Sequence, residues 1–397
     1  MGDGHVLEPT PGSVILIGLN GSQIGCLEPH RDDFFMPVVQ RREKLRRLVH
    51  RTGADAILVT NFVNVTYLTG FTGDDSYLLV TRDKEILLTD GRYTVQLSEE
   101  CPNLDLEIRS PGVSITKTIE RVTKKAKIGC LAVEANSMTM GLAQRIEEQL
   151  PRVTLLPTDG LVEQLRVIKD RGEVEATRWA IKVAERAFSV VRAGLRTDQT
   201  EREVANLLEQ QIRLFGGKCC SFPPIVAVGP RAALPHATPT DRLIGEADFV
   251  LIDWGAVGPL YMSDLTRVLV TGKISPKLQR IYRVVLKAQR RAIAAVKPGR
   301  TMQEIDAVAR KVIDKEGFGK HFDHALGHGI GLEIHESPRL APGQKQLLRP
   351  GMIVTVEPGI YLPKWGGVRI EDDVLVTKSG HEVLTSVGKE LDDCVVR

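Results

Sequence analysis

The chain has 397 residues, 42% of them hydrophobic and 26% charged, and its formal net charge is +3. This composition is typical of a globular protein, and the small, dispersed positive charge argues against a nucleic-acid partner. The length favours two domains over one. No apolar run approaches the roughly 18 residues that a membrane span needs, so no membrane partner is expected.

Six cysteines are scattered along the chain, and none forms a Cys-x-x-Cys pair. A chain of this size does not need disulfides for stability, so we expect reduced thiols and a cytoplasmic protein. The pattern also gives no indication of a structural zinc site.

Residues 1–35 differ from the rest of the chain, because they carry several Gly and Pro and lack helical or strand periodicity. An amphipathic pattern begins at Met36 and continues to about His50, which predicts the first helix. We therefore expect the fold to begin at residue 36, with a leader at 1–35 that is disordered or not part of the native protein.

Residues 36–160 alternate short apolar runs with helical stretches, a pattern that predicts a mixed α/β domain. The polar residues 82–84 between two such runs are typical of a β-hairpin. The clearest helix is predicted at 138–150. The predicted strands are 56–60, 64–73, 77–81, 85–89, 104–108 and 128–133.

Residues 161–397 predict a second domain that follows a short helical linker at 161–170. Asp170 with Glu173, and Thr301 with Glu304, have the spacing of capping boxes at helix starts. Helices are predicted at 170–194, 201–214, 275–298 and 301–317, and strands at 225–228, 249–254, 261–270, 353–356 and 368–376.

Two aspartates of the second domain interrupt predicted strands. Asp253 follows the apolar run Phe-Val-Leu-Ile, and Asp264 lies in the next strand, after a turn rich in Gly and Pro. Aspartate is depleted in strands and a buried unpaired carboxylate is unfavourable, so a shared cation explains both positions. The alternative is that each aspartate caps a turn.

Two glutamates of the same domain also lie beside apolar residues. Glu357 ends a predicted strand in Val-Glu-Pro-Gly, and Glu371 follows Arg369 by two positions. On one strand Arg369 and Glu371 would share a face, so the arginine would orient the glutamate as a metal ligand. The alternative is a surface ion pair on an edge strand.

Residues 322–336 place His324, His328 and His335 among three glycines, which allow backbone to approach a ligand closely. His328 with the four carboxylates makes an oxygen-rich set that suits two divalent ions sharing a water. Hard ligands favour Mn²⁺, with Co²⁺, Fe²⁺ and Zn²⁺ as alternatives. The predicted ligands are Asp253, Asp264, His328, Glu357 and Glu371.

The order of these motifs resembles the pita-bread metallopeptidases, and among them the Xaa-Pro branch of aminopeptidase P and prolidase. The motifs are the two aspartates, Gly-His-Gly-Ile-Gly-Leu with a later His-Glu, Val-Glu-Pro-Gly and Val-Arg-Ile-Glu-Asp. Residues 64–71 and 88–93 resemble the creatinase-type N-terminal domain. The resemblance covers about residues 37–385. It implies an α/β N-terminal domain at 36–160 and an α+β pita-bread catalytic domain at 161–397.

The resemblance also implies roles for four residues at the reaction centre. His236 and His335 would face the substrate and stabilise the reaction intermediate. Glu357 would accept a proton from the attacking water in addition to binding metal. Arg369 would support a metal-binding carboxylate.

Further implications concern the metal bridge and the assembly. Asp264 and Glu371 would each bridge the two ions. His321 and His324 are expected to be structural or rim residues. A homodimer is implied, because relatives often place the N-terminal domain against a neighbour's active site.

These features predict a metal-dependent exopeptidase that hydrolyses the bond between an N-terminal residue and proline, an Xaa-Pro aminopeptidase. The alternative within the family is an Xaa-Pro dipeptidase, or prolidase. A creatinase-like amidinohydrolase would lack some ligand carboxylates, and a methionine aminopeptidase would usually lack the N-terminal domain. A non-catalytic binding protein on the same fold is a further alternative, and ligand loss would mark it.

Overall fold

The computed structural model describes residues 38–396, so the prediction for the leader at 1–35 lies outside the described residues. The predicted first helix is present over its described part. The helices of the N-terminal part are α1 (Val38–Thr52), α2 (Phe62–Thr69), α3 (Thr94–Glu100), α4 (Ile115–Lys125), α5 (Met140–Gln149) and α6 (Glu163–Arg166). Its strands are β1 (Ala56–Val59), β2 (Tyr77–Thr81), β3 (Glu85–Asp90), β4 (Asp105–Arg109), β5 (Cys130–Glu134) and β6 (Thr154–Thr158).

One six-stranded mixed sheet organises the N-terminal part, in the order β4-β3-β2-β1-β5-β6. The predicted hairpin is confirmed, since β2 pairs antiparallel with β3. Strand β5 runs parallel to β1, and β6 runs parallel to β5. Ile57 and Val59 of β1 pack towards α1 and α2, whereas Ala56 and Leu58 pack towards α4 and α5. The period-2 alternation of β1 thus buries both faces of the sheet.

The strand predicted at 64–73 is wrong, because most of this stretch belongs to helix α2. The side chain of Asn61 caps the helix start, and Gly70 ends it with a φ of 80°. Val65 and Leu68 are fully buried against the sheet. This burial and the two caps outweigh the modest helix propensity of a segment rich in β-branched residues.

The four longer helices predicted for the C-terminal part are confirmed. Both predicted capping boxes are formed, by Asp170 with Glu173 and by Thr301 with Glu304. None of the helices in residues 38–396 is long and apolar enough to cross a bilayer. The helices are α7 (Arg171–Ala193), α8 (Glu201–Leu214), α9 (Pro276–Ala295) and α10 (Met302–Lys315).

The strands of the C-terminal part form four small sheets, in the orders β11-β9-β8, β13-β12-β14-β17-β18, β10-β7 and β15-β16. Their bounds are β7 (Cys219–Cys220), β8 (Ile225–Val228), β9 (Phe249–Trp254), β10 (Ala256–Val257), β11 (Leu265–Val270), β12 (Gly327–Gly329), β13 (Glu336–Leu340), β14 (Ile353–Val356), β15 (Gly359–Leu362), β16 (Gly366–Arg369), β17 (Asp372–Val376) and β18 (His381–Val383).

Strand β9 shows how the layers are arranged. Phe249 and Leu251 pack in one core with α9 and α10, whereas Val250 and Ile252 pack in another with α7 and α8. The strands therefore lie between two helix pairs, which is the expected α+β architecture. Asp253 comes next in β9, on the side of Leu251.

Two predicted strands differ from the observed ones. The stretch 261–270 is strand only from Leu265 onward. The stretch 368–376 is divided at Ile370 and Glu371, where the chain passes from the two-stranded sheet to the five-stranded sheet. Glu371 instead donates its backbone N–H to the carbonyl oxygen of Thr266, at 3.3 Å. This crossing brings a carboxylate to a junction between sheets.

The two parts of the chain pack directly against each other. Ala176, Tyr261 and Leu332 of the C-terminal part belong to the same apolar core as α1 and α2. Helix α6 connects the parts. The boundary between residues 160 and 161 stays a prediction.

Candidate active site

All eight residues predicted to act at the site line one cavity of about 770 Å³. The cavity opens between the sheets of the C-terminal part and also contacts α6, next to the N-terminal part. The eight residues are His236, Asp253, Asp264, His328, His335, Glu357, Arg369 and Glu371.

Three of the predicted ligands form a compact cluster. One ligand atom from each of Asp264, His328 and Glu371 lies within 4.8 Å of the other two. The Nε2 atom of His328 is 3.6 Å from Oδ2 of Asp264 and 3.5 Å from Oε1 of Glu357. The geometry therefore joins Glu357 to this cluster through His328.

The tautomer of His328 follows from its backbone contact. Its Nδ1 lies 3.0 Å from the carbonyl oxygen of Gly329, so Nδ1–H donates and Nε2 keeps a lone pair. Burial lowers the pKa of His328 to about 4. A neutral imidazole with Nε2 directed at carboxylates is the form that binds a metal ion.

The glycines beside His328 serve backbone packing. A Cβ atom at Gly327 would lie 2.0 Å from the carbonyl oxygen of Thr355, and one at Gly329 would lie 2.4 Å from that of Ser337. Both distances are impossible for a real side chain. These two glycines thus allow β12 to pack closely against backbone of the same chain. The sequence had instead predicted that they let backbone approach a ligand.

Cationic side chains within residues 38–396 compensate the carboxylates of the cluster only in part. Burial, with repulsion from neighbouring carboxylates, raises the pKa values of Asp264 and Glu371 well above their usual range. Burial also raises the pKa of Glu357 to about 8. The Oδ1 atom of Asp253 is buried and has no hydrogen-bond partner among the described residues. An oxygen-rich, anionic set of this kind fits divalent cations.

Arg369 contacts a different carboxylate from the one predicted. Its Nη2 donates directly to Oδ2 of Asp253, and its Nε donates to Oγ1 of Thr266, at 3.1 Å. The Thr266 hydroxyl in turn donates to Oε2 of Glu371, at 2.6 Å. The arginine therefore holds Asp253 directly and Glu371 only through a threonine, because Glu371 lies beyond the end of β16.

A link between Arg369 and His324, through Tyr361, was not predicted from the sequence. The Nη1 atom of Arg369 donates to the Tyr361 hydroxyl at 2.8 Å, and that hydroxyl lies 2.9 Å from Nε2 of His324. Since Nδ1 of His324 lies 2.7 Å from the Ala325 carbonyl oxygen, Tyr361 is the donor to Nε2. His324 thus supports Tyr361, which is compatible with the structural role expected for it.

The two histidines predicted to face substrate lie in the same cavity as the cluster. The ring of His335 meets that of His328 edge to face, with centroids 4.4 Å apart. Partial burial in the cavity, followed by the neighbouring His236 and Arg339, lowers the pKa of His335. At neutral pH His335 is therefore uncharged and has one N–H to donate.

Arg339 is a cavity residue that the sequence analysis also missed. It is exposed, and its guanidinium has no hydrogen bond or ion pair among the residues that the structure describes. Its charge helps lower the pKa values of His328 and His335, so it lies near both. Its place in β13, four residues after His335, was the available sequence signal.

Two family models match the chain. "Metallopeptidase family M24" matches residues 175–378, and "Creatinase/Prolidase N-terminal domain" matches residues 41–168. A protein named Xaa-Pro dipeptidase from Pyrococcus furiosus is 36% identical over 89% of this chain and 99% of its own length.

Solved structures agree with the family models. The Xaa-Pro dipeptidase from Bacillus anthracis has a TM-score of 0.87 and 39% identity, over 90% of this chain and 100% of that one. The X-Pro aminopeptidase from Thermotoga maritima has a TM-score of 0.82 and 36% identity, over 87% and 99%. The chain therefore belongs to metallopeptidase family M24 and carries a creatinase/prolidase N-terminal domain in front of the catalytic part.

Proposed function

We propose that the protein is a metal-dependent exopeptidase that hydrolyses the peptide bond between an N-terminal residue and proline. The observation that carries this proposal is the cluster of buried carboxylates around His328, which cationic side chains compensate only in part, in a cavity large enough for a short peptide. The relatives described above that act on Xaa-Pro bonds, at 36–39% identity, support the choice of substrate.

The metal ligands proposed are Asp253, Asp264, His328, Glu357 and Glu371, all of which line the cavity. When bound there, two divalent ions would lower the pKa of a shared water and polarise the scissile carbonyl group. Manganese is the ion that we propose first, because four of the five ligands are hard carboxylates.

The chain's own residues would orient the reactants and move the proton. With metal ions bound, Glu357 would be ionised, and its burial, which raises its pKa, would make it a stronger acceptor for the proton of the attacking water. His335, neutral at neutral pH, can donate its N–H to the developing oxyanion, together with His236. Arg369 keeps Asp253 in place while the charge at the centre changes.

Proline suits a site of this type for a stereochemical reason. Its tertiary amide has no N–H, and its ring restricts the backbone of the preceding residue, so ordinary extended-strand recognition is lost. A pocket that binds the N-terminal residue and the proline ring directly does not need that hydrogen bond.

A second candidate function, Xaa-Pro dipeptidase activity, is favoured by Arg339. In a dipeptide the proline ends in a free carboxylate, which needs a cation, whereas in a longer peptide it continues as a neutral amide. The guanidinium of Arg339 lies in the cavity and has no ion pair among the described residues, so it suits such a carboxylate.

The test compares Xaa-Pro dipeptides with Xaa-Pro-Yaa tripeptides after removal and return of Mn²⁺. If Arg339 binds the carboxylate, Arg339→Gln should raise the KM for dipeptides about 10-fold or more and change that for tripeptides little. Arg339→Lys, which keeps the charge, is the matched control and should lie between. If neither substrate is hydrolysed, or if Glu371→Ala keeps full activity, the peptidase proposal is wrong.

Each rival function is marked by the loss of a feature that this chain retains. Creatinase-like hydrolases and non-catalytic relatives would lack ligand carboxylates, and all five predicted ligands line the cavity here. A methionine aminopeptidase would usually lack an N-terminal domain of the kind matched at 41–168. Xaa-Pro hydrolysis therefore remains the proposal.

Two further proposals concern the setting of the enzyme. A cytoplasmic location is supported by the cysteines, since all five within the described residues are free thiols.

A homodimer is supported by strand β4, which lies at the edge of its sheet and leaves Leu106 and Ile108 more than one-third exposed. Sedimentation at micromolar concentration tests the dimer, and a monomer alone would contradict it.

A further inference from the structure

The segment that carries His335 is held at both ends by one arginine of the linker helix α6. The Nη2 atom of Arg166 donates to Oε2 of Glu333, at 2.8 Å, and to Oε1 of Glu336. The same Oε1 atom accepts the backbone N–H of Glu333, at 3.0 Å. Lys169 also binds Glu336, at Oε2, with its Nζ at 3.2 Å. Glu333 and Glu336 flank Ile334 and His335, so Arg166 is the side chain that ties both ends of this segment together.

Arg166 also binds the N-terminal part of the chain. Its Nη1 donates to Oδ1 of Asn64 in helix α2, at 2.9 Å. The amide group of Asn64 donates to Oε1 of Glu134 and to Oε1 of Glu163, both at 2.6 Å. Both N–H donors of the Asn64 amide and one lone pair of its oxygen are used, which fixes its orientation.

Little of this cluster is open to solvent. The side chains of Arg166 and Glu336 are 3% and 6% exposed, and Asn64 is fully buried. Buried charge pairs with good geometry depend strongly on the exact donor, because the unpaired partner keeps its desolvation cost. A lysine at position 166 would offer a point charge in place of a planar group that reaches both Asn64 and the two glutamates.

We propose that Arg166 is a positioning residue for His335, and that it makes the placement of this histidine depend on the N-terminal part through Asn64. The proposal rests on the proposed function, in which His335 donates to the developing oxyanion. It assigns to the N-terminal part a role in the chemical step as well as in packing.

The position of His335 is sensitive for a geometric reason. Its ring packs edge to face on the ring of His328, which is a proposed metal ligand. A shift of the segment between Glu333 and Glu336 would move the donating nitrogen relative to the metal centre, and a misplacement of about 1 Å can cost about 100-fold in rate. Substrate binding depends on the wider cavity and should change less.

A matched control exists at the same contact between the two parts. Arg41 of α1 donates to Oδ2 of Asp170, at 2.8 Å, and to the carbonyl oxygen of Tyr67, at 2.9 Å. Arg41 is mostly buried and also joins the N-terminal part to the catalytic part. It makes no hydrogen bond or ion pair to the segment 333–336. Arg41→Lys therefore reports the effect of loosening the contact alone.

The experiment is a double-mutant cycle on the full chain with Mn²⁺ bound, using Arg166→Lys, His335→Ala and the double variant. Arg166→Lys should lower kcat about 10-fold or more and change KM less than about 3-fold. In the His335→Ala background, the same change should lower kcat by less than about 2-fold, because the histidine it positions is gone. Arg41→Lys should keep kcat within about 2-fold of the wild type.

Equal losses from Arg166→Lys in both backgrounds would overturn the proposal, since the arginine would then act independently of His335. If His335→Ala itself keeps full kcat, the proposed role of this histidine and the positioning role are both wrong. If Arg166→Lys does not fold, Glu333→Gln replaces it, because this side chain is 43% exposed. It should lower kcat about 3-fold only when His335 is present.

Discussion

Glu371 and Asp372 are neighbours in the chain, and both are almost fully buried, yet their surroundings differ. Asp372 accepts hydrogen bonds from Arg267 at 2.7 Å, Gln289 at 2.6 Å and Thr385 at 2.7 Å, and Lys389 also pairs with it. Glu371 has one donor to its side chain among the described residues, the Thr266 hydroxyl.

The titration of the two carboxyl groups follows from these partners. Burial alone would raise the pKa of Asp372, but Arg267 and Lys389 hold it below its usual range. Burial, with repulsion from Glu357 and Asp253, raises the pKa of Glu371 well above its usual range. The first carboxylate is compensated within the chain and stabilises the fold. The carboxylate of Glu371 needs an external cation, so it serves metal binding and lowers the stability of the metal-free protein.

The largest expected effect is on catalysis, from Glu371→Gln. This variant should lower kcat/KM for an Xaa-Pro substrate about 1000-fold, or roughly 4 kcal/mol of barrier, because a metal ligand is lost. The metal-free variant should unfold no more easily than metal-free wild type, because the change removes a carboxyl group whose ionisation is unfavourable in the fold, and the new amide oxygen still accepts from Thr266. Peptide hydrolysis and urea unfolding check the two results. If Glu371→Gln lowered the unfolding free energy of the metal-free protein by more than about 2 kcal/mol, Glu371 would be a structural residue like Asp372.

Asp372→Asn should produce the opposite result. It leaves the buried guanidinium of Arg267 and the ammonium group of Lys389 without their anion, which should cost about 3–5 kcal/mol of unfolding free energy. The fraction that stays folded and binds Mn²⁺ should be more active than Glu371→Gln. Urea unfolding with metal analysis measures both, and a loss below about 1 kcal/mol would show that Asp372 is not a structural anchor.

The carboxylates of the candidate metal site and the carboxylate of Asp372 should make opposite contributions to the pH dependence of stability. In the metal-free protein, the raised pKa values of Asp264, Glu371 and Glu357 mean that the folded state binds more protons than the unfolded chain from about pH 4 to about pH 8. The stability of the metal-free protein should therefore fall as pH rises through this window, by at least roughly 1 kcal/mol.

The contribution of Asp372 to stability has the other sign, because its pKa is depressed in the folded state. This contribution is fully present above about pH 4 and is lost only as pH falls further. Unfolding curves at several pH values, with and without Mn²⁺, test this. Added Mn²⁺ should reverse the fall at neutral pH, because it binds the folded, deprotonated cluster. A metal-free protein that becomes more stable between pH 5 and 8 would contradict the account.

The smallest expected effect comes from Tyr361→Phe. The loss of the hydroxyl between Arg369 and His324 should lower kcat by about 5-fold, equivalent to one hydrogen bond of roughly 1 kcal/mol. Tyr282→Phe is the control, because the Tyr282 hydroxyl donates to the Lys389 carbonyl oxygen and Tyr282 does not line the cavity. The control should lose similar stability with kcat unchanged, and equal kcat losses in both variants would contradict the role of Tyr361.

Local signals in the sequence predicted much of the fold. The capping boxes at Asp170 and Thr301 depend on residues close in the chain, and so do the apolar strands that contain Asp253 and precede Glu357. The helix at 62–69 was missed because long-range burial overrode the local preference of its β-branched residues.

The candidate site was predicted in its ligands but not in their supports. Carboxylates next to apolar strands stand out in a sequence, and all five proposed ligands line one cavity. Thr266 has no such signal, because it resembles any residue of a buried strand. Tyr361, Arg166 and Asn64 act through contacts with residues far along the chain, which no local spacing reveals.

The most direct test of the central claim titrates Mn²⁺ into metal-free wild-type protein while following hydrolysis of Ala-Pro and Ala-Ala peptides. The account predicts about two ions bound per chain, activity that rises with their occupancy, and a preference for Ala-Pro of about 100-fold. Glu371→Gln should bind fewer ions and gain no activity. Full hydrolysis of Ala-Pro by the metal-free protein, or equal rates on both peptides, would contradict the account.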